Sequence, residues 1–256
     1  MSIGIDPSTP PLNLRPFLVG RGQIERLDTL TRLKLPAAAR TKYSDAQLDD
    51  YAGLPRRSFP HRPPLHLSVR ARFSTDAIAG TAGFGLWNHP FMPGGGLPTL
   101  PRAIWFFYAS PPSNMALALD VPGWGWKAAT IDATRPSALA IAPLAPIVLL
   151  LNRSRRLYRR IWPNIQKALS IHEQLLPPAQ MLDWHTYEIE WQINRARFYV
   201  DERLTLETDR SPRGPLGFVA WIDNQYAVVT PAGRIQVGLL DVTQPQWLDL
   251  AELRLN

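Results

Sequence analysis

Residues 185–193, HTYEIEWQI, alternate strictly between two kinds of side chain. His185, Tyr187, Ile189, Trp191 and Ile193 form an aromatic and apolar set. Thr186, Glu188, Glu190 and Gln192 form a polar one, joined by Trp184 at the start. A period of two places the sets on opposite faces of a strand, one dry and one wet. Asn194-Arg195 turns the chain into ARFYVDE, and a second turn at Asp201-Glu202-Arg203 leads into LTLET.

Similar short runs recur along the chain. QIERLDTLTRLKL (23–35) reads as a half-buried strand and YSDAQLDDY (43–51) as a weaker one. PLHLSVRARFS (64–74) puts Leu65, Leu67, Val69, Ala71 and Phe73 on one face. GTAGFGLWNHPF (80–91) and RAIWFFYAS (102–110) suit strands buried on both faces. NMALALD (114–120) and WKAATID (126–132) continue the series, and GPLGFVAWIDNQY, GRIQVGLL and QWLDLAELRL close it. The 26 prolines fit many loops and edges, because Pro is kept out of central strands and helix interiors.

About a dozen short strands imply an all-β, two-sheet β-jelly roll sandwich. The chain of 256 residues reads as one jelly-roll domain over 1–256, with an irregular lead-in at 1–20. A helical insertion is expected at 143–176, with Pro163 opening its second helix.

Composition narrows the chemistry. There is no Cys, hence no disulfide, thiolate site or Cys nucleophile. No His cluster has metal-ligand spacing, so no metal and no cofactor is expected. A structural calcium held by Asp and backbone oxygens is left open but not predicted. The N-terminus lacks a secretory pattern, which points to the cytoplasm. The net charge of +7 is local rather than spread. Between Asp132 and Glu173 there is no carboxylate, but there are seven basic residues: Arg135, Arg153, Arg155, Arg156, Arg159, Arg160 and Lys167. That confinement argues against nucleic acid. Residues 144–162 offer a peripheral membrane contact, but the expected arrangement is a helix pair covering one end of the sandwich with its Arg in water.

The hairpin resembles that of the concanavalin A-like lectin/glucanase superfamily, and within it glycoside hydrolase family 16. The residues that carry the resemblance are Trp184, His185, Tyr187, Trp191, Phe198, Tyr199, Val200 and Asp201, with Glu202 in place of the usual Gly. The resemblance spans roughly 64–256 and is specific in the hairpin. It implies a jelly roll with a concave sheet forming a groove. It also implies a catalytic strand Glu-x-Asp-x-x-Glu, whose two working carboxyl groups stand about 5–5.5 Å apart. The matching strand here is expected to be PRAIWFFYAS, which has no carboxylate. No Asp or Glu lies between Asp76 and Asp120.

The expected function is therefore non-catalytic binding of a carbohydrate or small apolar ligand in an aromatic groove. The expected ligand residues are Trp87, Asn88, Trp105, Tyr108, Trp221, Asp223 and Gln225. Aromatic rings would stack on a sugar while amide and carboxylate groups bond its hydroxyls. The alternative is a divergent glycoside hydrolase or lyase with relocated groups: Asp223 with Asp120, His89 or Tyr226. Glu188 and Glu190 are read as a solvated outer face.

Overall fold

The computed structural model describes residues 13–90 and 98–256. It is a sandwich of two antiparallel seven-stranded sheets of jelly-roll type, with a small two-stranded hairpin beside them. The first sheet is built, in spatial order, from β1 (Arg15–Val19), β4 (Asp45–Asp49), β13 (Gly217–Asp223), β6 (Thr81–Trp87), β7 (Arg102–Ala109), β8 (Gly125–Asp132) and β9 (His172–Leu175). The second runs β12 (Arg203–Thr208), β11 (Ala196–Val200), β10 (His185–Trp191), β5 (Leu65–Phe73), β16 (Gln246–Leu255), β3 (Leu30–Leu35) and β2 (Gln23–Leu27). The hairpin is β14 (Gln225–Val229) with β15 (Ile235–Leu239).

The alternation read in the sequence sets the core. Tyr187, Ile189 and Trp191 on β10 are fully buried, as are Leu67, Val69 and Ala71 on β5. From the first sheet they meet Phe84, Phe106 and Trp126. Tyr187 is the centre of this layer. Its ring lies edge-on to Phe106 at 5.0 Å, Phe84 at 5.3 Å and Trp126 at 5.6 Å, and its hydroxyl donates to the Gln180 carbonyl at 2.9 Å. Trp191 Nε1 donates to the Pro212 carbonyl at 2.9 Å. On the wet face Glu188 pairs with His66 and Glu190 with Arg197. Ile193 lies past the end of β10, in the turn, and is exposed.

Four expectations need correction. Of the lead-in, residues 1–12 lie outside the described residues, and Arg15–Val19 is a paired strand. It is the sheet edge, where Pro16 can turn its missing N–H away from the ladder. Residues 23–35 are two strands turned at Asp28-Thr29. NMALALD makes no strand. Apart from a single bridge at Asn114 it crosses the outer side of the first sheet as irregular chain. The helical segment starts earlier and ends earlier than expected: α1 (Pro136–Ile141), α2 (Ala145–Leu151) and α3 (Arg155–Ala168). Prolines begin α1 and α2, where an N–H has no partner to lose. Pro163 instead lies inside α3. His172–Leu175 is edge strand β9, not insertion.

The hairpin residues of the family resemblance serve the scaffold. Asp201 accepts from the Thr186 N–H at 2.8 Å and bonds the His185 ring, clasping β10 to β11. Asp201 and Glu202 both have positive φ, 48° and 65°, in the two-residue turn between Val200 and Arg203. Such turns favour Gly at the second position, and a side chain there carries left-handed strain of roughly 1 kcal/mol. Glu202→Gly should therefore stabilise the fold by about 0.5–1 kcal/mol, net of the added chain entropy of Gly. A higher urea midpoint with unchanged slope is the expected result. A lower midpoint would contradict this account of the turn.

Candidate functional site

Residues opposite one another across a ladder share a face, so the register defines what the first sheet shows outward. One row reads Gln47, Trp221, Gly83, Phe107 and Lys127. The next reads Asp49, Val219, Gly85, Trp105, Ala129 and Glu173. A third begins Asp45, Asp223, Thr81.

The centre is an aromatic cluster. Trp87 and Trp221 lie parallel, 6.2 Å between centroids and 3° between planes. Trp105 is 5.4 Å from Trp221 and from Phe107, and 6.0 Å from Trp87. Two glycines make room for them. A Cβ on Gly83 would come within 3.1 Å of the Trp221 ring and 2.3 Å of the Phe106 carbonyl oxygen; one on Gly85 would meet Trp105 at 2.5 Å. Aromatic side chains beside sheet glycines cover backbone that would otherwise be wet. Trp221 and Phe107 are nearly buried, whereas Trp87 and Trp105 stay half-buried. His89 stacks on Trp87 at 5.0 Å. Tyr51 and Phe59 from the 50–62 loop, and Met115 from the crossing chain, pack around the edge.

A polar network borders the rings. Trp87 Nε1 donates to the Tyr51 hydroxyl at 2.7 Å, and Gln47 Nε2 donates to the same hydroxyl at 3.3 Å and to Asp49 at 2.9 Å. Burial pushes the Asp49 carboxyl and the Tyr51 hydroxyl above their ordinary ranges. At the far side, Lys127 is fully buried against Glu173 at 3.2 Å. Burial likewise raises the Glu173 carboxyl, against the pull of Lys127.

At the β4 end two acids face each other. Asp45 and Asp223 are direct ladder partners, 2% and 5% exposed. Asp223 Oδ1 accepts from the Thr81 N–H and hydroxyl and from the Gln225 N–H; Oδ2 accepts from the Tyr43 hydroxyl at 3.4 Å. Asp45 Oδ1 has no hydrogen-bond partner among the described residues. Burial lifts both carboxyls: Asp223 is pushed up to about 6, and Asp45 well above its usual range by burial and by the charge of Asp223. Burial and both acids keep the Tyr43 hydroxyl protonated. The sequence reading missed this pair. The signal that could have pointed to it is the recurrence of Asp45, Gln47 and Asp49 at the period of two that lines one face of a strand.

The structure distributes the expected residues unevenly. Trp87, Trp105 and Trp221 meet on the outward face, with Asp223 on the same face of β13. Tyr108 is a correction: it points inward, into the main core, because it is one residue out of phase with Trp105 and Phe107. Asn88 is buried and pins a loop, donating to the Leu100 carbonyl and accepting from the Arg102 N–H. Gln225 begins β14 and gives its N–H to Asp223. No bond joins Asp223, Asp120 and Tyr226 to one another among the described residues. Asp120 pairs with Arg159 on the surface, and the Tyr226 hydroxyl accepts from Gln236. Two clefts of about 350 and 310 Å³ lie elsewhere, beside α1 and α3 and beside the start of β16. Among the described residues no group of three or more His, Asp or Glu side chains is placed to hold a metal ion. No described helix is long and apolar enough to cross a membrane.

No family model matches the chain, and no curated protein matches it in sequence. Among solved structures it is similar to a legume lectin-like domain from Entamoeba histolytica, with a TM-score of 0.49 and 9% identity over 95% of this chain and 89% of that one. A prokaryotic beta-1,3-1,4-glucanase (lichenase) from a mouse hindgut metagenome gives 0.47 and 12%, over 90% and 81%. Bacillus licheniformis beta-glucanase gives 0.46 and 11%, over 94% and 97%. What those proteins bind or cleave is theirs; the sandwich assigned here rests on its own strand order.

The acid pair makes stability depend on pH with a definite sign. Carboxyls whose folded pKa is raised hold protons better in the folded state, so stability falls as pH rises from about 4 through about 6. A two-unit lift corresponds to about 3 kcal/mol. The denaturation midpoint should therefore be lower at pH 8 than at pH 5. Asp45→Asn should flatten that difference and stabilise the protein at pH 8. A midpoint that rises between pH 5 and 8 would show that the pair is not coupled as described.

Proposed function

We propose that this protein binds a carbohydrate on the outward aromatic face of its first sheet, with Trp87 and Trp105 as the stacking platforms. The observation that carries the reading is the half-buried pair of indoles resting on the Trp221–Phe107 floor. A pyranose presents an apolar C–H face to an aromatic ring and hydroxyls to its rim. The rim here offers the His89 ring, and the polar network of Gln47, Asp49 and Tyr51 lies behind it. Trp221 acts as support beneath the platforms, since it is nearly buried and its Nε1 donates to Thr81. Asp223 is likewise a support: three donors take one of its oxygens and Tyr43 the other.

The resemblance of the β10–β11 hairpin to the lectin/glucanase superfamily also supports this reading. On β7, the strand expected to match the family's catalytic one, the outward positions are Ala103, Trp105, Phe107 and Ala109, none able to act as nucleophile or acid. The carboxyl pair Asp45 and Asp223 on this face is enclosed. An acid that attacks or protonates a sugar must reach it.

Screening on a glycan array followed by calorimetry tests the proposal. Saturable binding of at least one glycan is expected. Trp105→Ala and Trp87→Ala should each weaken it about tenfold, the worth of one good stacking contact. Asp120→Ala and Tyr226→Phe, away from the platforms, should leave it unchanged. Binding that is indifferent to both Trp substitutions, or absent for every glycan, would remove this face from consideration.

A further inference from the structure

Residues 142–150, APLAPIVLL, are apolar throughout, and all but Val148 are exposed. Helix α2 has no buried residue. A helix that covered the end of the sandwich would bury one side, and its neighbour α3 does so. There Trp162 and Gln166 are buried, with Trp162 Nε1 donating to the Leu117 carbonyl at 2.8 Å and Gln166 accepting from the Leu119 N–H at 3.1 Å. Leu144, Ile147 and Leu150 are 52%, 56% and 61% exposed. The tip of the β14–β15 hairpin adjoins them: Asn152 donates to the Pro231 carbonyl at 2.9 Å, and Leu149 lies 3.4 Å from the Cβ position of Gly233. That hairpin adds Ile235 and Val237, 77% and 64% exposed.

The flank of this patch is cationic. Arg153, Arg155, Arg156 and Arg160 are exposed and make no salt bridge among the described residues. No carboxylate occurs between Asp132 and Glu173 to offset them. Apolar side chains bordered by unpaired guanidinium groups complement a surface with hydrocarbon below and negative charge at its boundary. Two copies set face to face through α3 would instead bring like charges together.

We propose that α1, α2 and the start of α3 form a docking surface for an anionic lipid bilayer. Leu144, Ile147 and Leu150 enter the headgroup region, and Arg155, Arg156 and Arg160 meet lipid phosphates. The segment lies on the membrane, since no described helix is long enough to span one. The surface is separate from the aromatic face, so the protein could hold a glycan and a bilayer at once.

Co-sedimentation with phosphatidylcholine vesicles, with and without phosphatidylglycerol, tests this on the full chain. Binding is expected with the anionic vesicles, and it should weaken as salt rises. Arg155→Gln/Arg156→Gln/Arg160→Gln should lose about 100-fold in affinity, near fivefold per charge. Ile147→Ser/Leu150→Ser should lose at least tenfold while its melting temperature holds. Leu150→Trp gives a readout independent of affinity, an emission shift to the blue with anionic vesicles. No association with anionic vesicles, or association untouched by either variant, overturns the proposal. Self-association in sedimentation velocity that Ile147→Ser/Leu150→Ser abolishes would also overturn it, assigning the patch to a second copy of the chain.

Discussion

The rings around Tyr187 are the contact on which the rest of the structure depends. Phe84, Phe106 and Trp126 come down from the first sheet, Tyr187 and Phe198 come up from the second, and Phe73 closes against Trp126 at 5.2 Å. Each such side chain contributes roughly 2–3 kcal/mol by leaving water. The larger consequence is phase. With Phe84, Phe106 and Trp126 committed inward, strand alternation commits Gly83, Gly85, Trp105, Phe107 and Lys127 outward. A slip of one residue on β7 would put Tyr108 among the indoles and Trp105 in the core. The candidate site is thus the reverse side of the core.

That reverse side is not an ordinary wet face. It buries a lysine, several acids and three tryptophans in whole or part, so it needs its own cover. The 50–62 loop supplies Tyr51 and Phe59, fixed by Asp50, which accepts from the Phe218 N–H and bonds the His61 ring. The crossing chain reaches the Lys127–Glu173 pair at the other end, where the Ala118 backbone bonds Glu173. What remains accessible is the middle, where Trp87 and Trp105 sit. The charged groups of this face lie under the cover, and the Trp87 and Trp105 rings lie where the cover ends.

Local pattern made much of this legible and pairing made the rest obscure. The faces of β5 and β10 could be read from alternation alone, and Glu188 and Glu190 lie on the outer face that their period implied. Asp45 opposite Asp223 could not be read, because 178 positions separate them and only the ladder brings them together. Residues 15–19 were expected to be irregular lead-in, yet they pair with β4 at the sheet edge, where the missing N–H of Pro16 can face away from the ladder. NMALALD has strand-like composition but pairs only at Asn114, which bridges Val228 of β14. Its Met115 side chain packs against the aromatic cluster, while the Leu117 carbonyl and the Leu119 N–H bond Trp162 and Gln166 of α3. Asn88 and Gln225 looked like ligand groups for their amides; the Asn88 amide bonds the Leu100 carbonyl and the Arg102 N–H, and the Gln225 main chain donates to Asp223.

The helical segment shows the same rule from the other side. It is inserted between β8 and β9, the last two strands of the sheet, where a detour disturbs one ladder only. Its inner residues are dictated by what lies beneath them: Trp162 and Gln166 satisfy the irregular chain at 117–119, and Ser137 bonds the Ala168 carbonyl to hold α1 to α3. Nothing in the sandwich dictates the outer residues. A surface helix free of constraint drifts toward polar side chains, because each exposed leucine gains nothing by being there and adds a risk of aggregation. An outer face that is instead apolar along α2 and arginine-rich along α3 is therefore explained by something outside the sandwich. A bilayer with a negative surface accounts for both halves of that composition with one contact.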